Sequence, residues 1–249
     1  MRPVDKAAVG DMFISDDELH NLMEVILEDY DPYQTAKPAL VTNLGSICSY
    51  CEDVFHQARN LQVEHVQPKG LDQYAHLKTK WTNFLLSCAT CNGADNKDTK
   101  DAILGEVHLP HLNNTYKSLA YKAGGVVTVN PELTGEAANH AKALLELVGL
   151  DKTPLTSKPG DTRWMKRKND WSLATRYRRR YDENDIDLET LLDLIKNRGG
   201  WSIWFTVFKG CDAVRQRLIS DFRGTSAACF DSLNHYEPVD RNPGMTDPV

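Results

Sequence analysis

Two Cys-x-x-Cys pairs, Cys48 with Cys51 and Cys88 with Cys91, constrain this chain more than any other feature. Each pair is a short knuckle presenting two thiolates. Two knuckles together complete the tetrahedral four-sulfur shell of a structural zinc ion with little strain. Residues 52–87 lie between them, a longer spacer than the usual zinc-finger interval, so an insertion with its own role has to fit inside the bracket. One pair alone would read equally as a redox dithiol. Two pairs favour zinc and leave dithiol chemistry as the competing account.

The interior of the bracket carries two further signals. Leu61 to Val66 is β-prone and Pro68 ends it, which predicts a short strand delivering Glu64 and His65 to its end. Asn83 to Ser87 is a second apolar run that leads into the second knuckle. After Cys91 come Asn92, Gly93, Ala94, Asp95, Asn96 and Lys97, which predict the opening turn of a helix. The expected order is strand, strand, helix.

Cys-x-x-Cys, Glu-His, Asn before three apolar residues, Ser-Cys-x-x-Cys-Asn and a following Lys resemble the HNH nucleases of the zinc-stapled kind. The resemblance spans residues 48–97, about a fifth of the chain. It implies a ββα-metal hairpin and metal-dependent hydrolysis of phosphodiesters, a reaction that needs a deprotonated water and a cation on the phosphate. In that reading His65 is the general base, since neutral imidazole accepts a proton well near pH 7. Glu64 and Asn92 are hard oxygen ligands for a catalytic Mg²⁺ or Mn²⁺. Asn83 bonds across the hairpin to hold the His65 loop, and Lys97 contacts phosphate. Asn92 stands where the name-giving pattern has His, a variant also found in the family.

The rest of the chain supplies a frame. At 249 residues it is long enough for one large domain or two small ones. With 41% hydrophobic and 26% charged residues it reads as a globular protein without a run long enough to span a membrane. The opening stretch has no hydrophobic signal region, and six cysteines, four of them assigned to metal, point to a reducing cytoplasm. Ser15-Asp16-Asp17-Glu18 fits a capping box, and Leu19, Leu22, Met23, Ile26 and Leu27 recur at helical spacing, predicting a helix over 15–29. A second helix is expected from Tyr33 to Leu44, stopped by Gly45. A β-hairpin turns at Ala123-Gly124-Gly125, and Thr134 to Val148 is a capped helix stopped by Gly149. His108 and His111 could reach a metal, and the favoured reading is that they are ordinary strand or loop residues. Prolines and glycine over 152–160 mark a boundary between an N-terminal part, 1–151, and a helical part, 152–249. The later segments predict helices at 187–197 and 212–222, a buried run from Trp201 to Phe208 of undecided type, and a mobile tail over 237–249.

Charge is segregated. Residues 161–180 hold eight basic side chains against Asp161 and Asp170, a net +6, while the whole chain carries −6. With Trp164, Trp171, Ala174 and Tyr181 at near-helical spacing, this reads as a helix with an aromatic inner face. Its basic stripe of Arg163, Lys166, Arg167, Arg176, Arg178, Arg179 and Arg180 is a candidate for backbone phosphates, and a solvated charged helix is the alternative.

The expected architecture is α+β: a zinc-stapled ββα-metal hairpin, motif 48–97, surrounded by helices and followed by a mostly helical C-terminal part. The expected cofactors are structural Zn²⁺ and catalytic Mg²⁺ or Mn²⁺, and DNA is the favoured substrate. Compact chains of this build resemble the nuclease subunits of Septu and certain retron anti-phage systems, which implies an ATPase subunit as regulating partner. A stand-alone restriction-type nuclease and a non-catalytic zinc-dependent nucleic-acid-binding module are the other readings.

Overall fold

The computed structural model describes residues 1–17 and 20–249, with side chains outside residues 15–22. Its strands occur as separate antiparallel pairs, each set against helices. The first pair is β1 (Met12–Asp17) with β2 (His20–Val25), in register from Met12 opposite Val25 to Asp17 opposite His20. The helix expected over 15–29 is overturned there. Residues 18 and 19, which carry part of that expectation, lie outside the described residues. The apolar positions that recur at helical spacing do not share a buried face, because Ile26 is buried while Met23 and Leu27 are exposed. Phe13 instead points inward and β1 packs on the next helix, so tertiary contact sets the strand.

That helix is α1 (Lys37–Leu44), entered through a single 3-10 turn at Tyr33–Ala36, with Pro38 in its first turn. Gly45 ends it as expected. The central hairpin pairs β3 (Leu61–His65) with β4 (Phe84–Cys88), Leu61 opposite Cys88 and His65 opposite Phe84. Gln62 is the one exposed residue of the pair; the rest are buried. The hairpin leads into α2 (Ala89–Asn92), one helical turn whose amide at Cys91 is capped by Cys88 Sγ. The helix therefore ends at Asn92 rather than opening there. Gly93 enforces the stop: a Cβ at this position would lie 2.7 Å from the Ala89 carbonyl oxygen, and the glycine backbone is extended.

Beyond the hairpin, α3 (Thr115–Ser118) leads into β5 (Leu119–Lys122) and β6 (Val126–Val129), the hairpin expected at Ala123–Gly125. Then come α4 (Gly135–Val148), the twenty-residue α5 (Arg163–Asp182) and α6 (Leu188–Arg198), the last capped by Asp187 on the Thr190 amide. The undecided apolar run is helical, α7 (Trp201–Val207), with its first five residues all buried. Such a run has no amphipathic period because it has no solvent face. After α8 (Asp212–Asp221) a last pair, β7 (Phe230–Asp231) and β8 (Glu237–Pro238), closes the fold.

The core is continuous. Trp81, Phe84 and Leu86 of the central hairpin belong to the same buried cluster as Trp201, Phe205 and Phe208, so one core runs across the 152–160 boundary. Trp201 stacks on Phe205 with ring centroids 4.5 Å apart. The expected mobile tail is corrected as well. Residues 237–249 are anchored by the β7–β8 pairing, an ion pair of Lys117 with Asp240 and a 2.8 Å bond from Arg241 to Asp5. Local composition signals a turn-rich segment; side-chain bonds to distant residues hold it down.

Candidate active site

The two knuckles close as their spacing predicts. The four Sγ atoms of Cys48, Cys51, Cys88 and Cys91 lie within 4.8 Å of one another, and Cys51 Sγ stands 3.8 Å from Cys88 Sγ. Tetrahedral zinc with bonds of ~2.3 Å places its sulfurs roughly 3.8 Å apart, so the donor set fits that ion. Backbone amides point at the sulfurs: the Cys88 amide donates to Cys48 Sγ and the Cys91 amide to Cys88 Sγ, each at 3.4 Å. Such bonds orient thiolates and offset their charge.

The first knuckle is locked to a distant helix. Glu52, buried and at a positive φ of 64°, accepts from the Arg2 amide at 2.6 Å, the Ser202 amide at 2.8 Å and Ser202 Oγ at 2.7 Å. Its own carbonyl accepts from the Gly200 amide at 2.9 Å. Gly199 permits this approach, since a Cβ there would come within 2.4 Å of the Glu52 oxygen.

Across the hairpin, Glu64, His65 and Asn92 line one cavity of about 480 Å³, together with Tyr33, Lys37, Gln62, Lys69 and Asp98. His65 Nε2 lies 2.9 Å from the Lys78 carbonyl. A carbonyl only accepts, so Nε2 carries the proton and Nδ1 is the basic nitrogen. Tyr33 and Phe84 meet the imidazole edge-on, with centroids at 4.7 and 5.2 Å. Burial, against a raising effect of the Lys78 bond, lowers the His65 pKa to about 4, which leaves the ring neutral at pH 7.

Asn83 holds the loop that follows His65. Its Oδ1 accepts from the Gln67 amide at 2.8 Å, and its Nδ2 donates to the Gln67 carbonyl at 2.9 Å. Its own carbonyl accepts from the Val66 amide. Asn92, half-buried at the end of α2, donates from Nδ2 to Gln62 Oε1 at 2.8 Å, which turns its amide plane toward the same cavity.

Lys97 has another task than the one its sequence position suggested. Its Nζ pairs with Glu64 Oε1 at 2.9 Å and donates to the His65 carbonyl at 2.8 Å, and the side chain is 0% exposed. It therefore has no surface for a phosphate and acts as a clamp under the strand end. Burial raises the Glu64 carboxyl above its ordinary pKa, with Lys97 pulling the other way. The cations that do line the cavity are Lys37 and Lys69, the latter with Nζ 4.9 Å from the Tyr33 ring. Asp98, an exposed residue, adds an acid to the same lining. Sequence spacing missed these three. Lys69, four residues past His65 in the same loop, was the one with a local signal. Glu64, Asn92 and Asp98 are the oxygen-bearing acid and amide residues of the lining, the residue types that suit Mg²⁺ or Mn²⁺, and the Glu64 carboxylate is itself held beneath the cavity by Lys97.

The basic helix is corrected in part. Arg163 and Arg167 are buried. Arg163 donates to Val148 O, Gly149 O and, at 3.2 Å, to Cys91 Sγ; Arg167 donates to Gly125 O and Leu150 O. Both serve the end of α4, where carbonyls lack helical partners. Lys166 pairs with Asp53 and Asp170. Arg178, Arg179 and Arg180 pair with Asp182, Glu183 and Asp185, acids that follow the +6 stretch and lower its net charge to +3 over 161–185. Arg176 and Arg179, with Lys168, remain exposed.

No described helix is long and apolar enough to cross a membrane. A stretch of 67 residues is 39% identical to the Septu protein PtuB of Bacillus thuringiensis, covering 26% of this chain and 24% of that protein, so the likeness spans about a quarter of each. Residues 48–98, the stretch holding both knuckles, the central hairpin and the cavity residues Glu64, His65, Asn92 and Asp98, match the HNH endonuclease family, and the chain carries an HNH endonuclease domain there.

Proposed function

We propose that the chain is a divalent-metal-dependent endonuclease that hydrolyses phosphodiester bonds in DNA. The observation that carries this reading is the convergence of His65, Glu64 and Asn92 on one open cavity beside the four-cysteine cluster. His65 Nδ1 takes the proton of the attacking water, and its Nε2–H bond to Lys78 fixes the tautomer that makes Nδ1 the base. Asn83 keeps the 66–67 backbone in place so that the imidazole does not swing away. Glu64 and Asn92 would hold the Mg²⁺ or Mn²⁺, which when bound neutralises charge on the phosphate and the leaving oxygen. Lys37 and Lys69 supply positive charge at the cavity rim for the flanking phosphates. A zinc held by the four cysteines would have a structural part only, joining the Cys48–Cys51 knuckle to the end of β4 and to α2.

The likeness to a Septu protein supports an anti-phage setting. In the reading that the family resemblance implies, an ATP-binding partner would hold the nuclease until infection. The test is direct. Pure protein is incubated with plasmid and with single strands, with and without Mg²⁺ or Mn²⁺, alone and after co-expression with the neighbouring genes of its operon. Metal-dependent nicking that disappears in His65→Ala supports the nuclease reading. DNA binding without cleavage under every condition overturns it. Full-rate cleavage by the isolated chain, with no co-purifying ATPase, overturns the partner.

A further inference from the structure

A second group of ligand-type side chains lies away from the nuclease cavity. His108 comes from the loop before α3, His140 from α4 and Asp247 from the 242–249 segment. His108 Nε2 stands 2.7 Å, and His140 Nδ1 2.6 Å, from the same atom, Asp247 Oδ2. The three donor atoms lie within 4.8 Å of one another. Three distant stretches of chain thus aim two imidazole nitrogens and a carboxylate oxygen at one point.

The outer contacts suit ligation. His108 Nδ1 is 2.8 Å from Ser118 Oγ, and that hydroxyl also reaches the Asn114 carbonyl at 3.3 Å. When Ser118 donates to Asn114, it accepts from His108 Nδ1–H, and Nε2 keeps its lone pair for a metal. A hydrogen bond of this kind on the far nitrogen is the usual companion of a ligating histidine. Asp247 Oδ1 accepts from the Val249 amide at 3.3 Å, which leaves Oδ2 to face the rings. The segment itself is pinned: Asn242 Nδ2 donates to Leu112 O at 3.1 Å, and the Asn114 amide donates to Val249 O at 3.1 Å. The carboxylate is presented by a fixed backbone.

The cluster opens on a cavity of about 430 Å³. Glu136, one turn before His140 on α4, lines that cavity on the same helix face.

We propose that His108, His140 and Asp247 bind a second zinc ion, with its fourth position open to the cavity beside Glu136. Two imidazoles and one carboxylate are a known three-ligand set for zinc that keeps an open site. Donors of a tetrahedral zinc with bonds of ~2.0–2.1 Å stand roughly 3.3 Å apart, so each nitrogen need draw back from Asp247 Oδ2 by only about 0.6 Å. The site differs in kind from the four-cysteine cluster, since it has no sulfur and its residues line a cavity. It would fasten the 242–249 segment to α4 and the 105–113 loop, and offer a Lewis-acidic position to water or an anionic ligand.

The test uses the full chain, purified without chelator, saturated with Zn²⁺, dialysed, and read by elemental analysis and zinc-edge X-ray absorption. Wild type is expected to hold two zinc ions per chain with mixed sulfur and nitrogen/oxygen ligation. His140→Ala and Asp247→Asn are each expected to hold one, with sulfur ligation at ~2.3 Å only. Asp247→Asn keeps the side-chain shape and its bonding to the imidazoles, so it separates loss of metal from loss of fold. One zinc in wild type overturns the site and leaves a hydrogen-bonded knot. So does a second zinc that persists in both variants. If neither variant folds, the wild-type count and its ligand signature decide.

Discussion

Arg163 Nη1 stands 3.2 Å from Cys91 Sγ and 2.8 Å from the Val148 carbonyl, so one guanidinium joins the zinc knuckle to the end of α4. Arg163→Met is expected to lose this joint and to leave the Val148 and Gly149 carbonyls without their donor. A loss of about 2–4 kcal/mol follows for a buried charged bond of this kind. The melting temperature should fall and zinc should pass faster to a colorimetric chelator. The salt dependence of DNA binding should not change, because the side chain does not face solvent; a flatter slope would return Arg163 to the phosphate-contact role.

Lys97→Met leaves Glu64 buried and unpaired, which costs about 3–5 kcal/mol when one partner of such a pair is removed. Lys97→Met combined with Glu64→Gln should recover part of that loss in urea unfolding. Additive losses in the double variant would show that the 2.9 Å pair is not an energetic unit.

His65→Ala is expected to retain zinc and fold while plasmid cleavage falls by ~10² or more. Some stability will go with the ring, which packs on Tyr33 and Phe84. His65→Asn serves as the companion, being polar but a poor base. Cleavage at the wild-type rate in either variant would remove His65 from the reaction.

Lys37→Ala and Lys69→Ala should each weaken DNA binding and flatten its dependence on salt, by roughly 0.9 in the log–log slope for each lost phosphate contact. Charge reversal at Arg178 and Arg180, which pair with Asp182 and Asp185, should alter the slope less. The opposite ranking would move the nucleic-acid track from the cavity rim to α5.

His111 gives a pH effect on stability. Its Nδ1 is sealed from solvent with no hydrogen-bond partner among the described residues. Burial, followed by Lys6 and Arg241, lowers its pKa to about 3. The folded value lies below the unfolded one, so the unfolded chain takes up a proton that the native chain refuses. Stability from this group is complete above about pH 6.5 and declines toward pH 3, by up to ~1.4 kcal/mol per pH unit. His111→Leu should flatten the acid side of a plot of urea midpoint against pH; an unchanged difference between pH 7 and pH 4 would show that another group sets that limb.

What could be read from the chain was whatever depended on neighbours in sequence. The knuckles and the β3–β4 hairpin follow from short spacings inside one fifty-residue stretch, while the part given to Asn83 came only with the family resemblance. The direction of Lys97 could not be read, because a lysine after Cys-x-x-Cys is compatible with facing either solvent or Glu64, and only packing decides. Lys37 reaches the cavity from α1, which no spacing joins to His65. The net charge of the basic helix depends on the window: one closing at Arg180 excludes Asp182, Glu183 and Asp185, the acids that follow and pair with Arg178, Arg179 and Arg180. Residues 15–29 place apolar side chains at helical spacing, yet β1 pairs with β2 and packs against α1, so contacts distant in sequence decide the element. Asp247 lies 107 residues from His140 in a proline- and glycine-containing segment, where nothing local announces a ligand.

The bond between Glu52 and Ser202 joins residues 150 positions apart. On a ribosome adding ~5–20 residues per second, the first knuckle would wait roughly ten to thirty seconds for that partner to be made. Zinc can bring Cys48, Cys51, Cys88 and Cys91 together well before then, while the Glu52 carboxylate still faces water. A nascent chain would thus possess its metal staple early and its supporting helix late. Premature termination between residues 100 and 200 would yield a fragment with every cavity residue but without the wall behind the first knuckle, a safeguard against active truncation products.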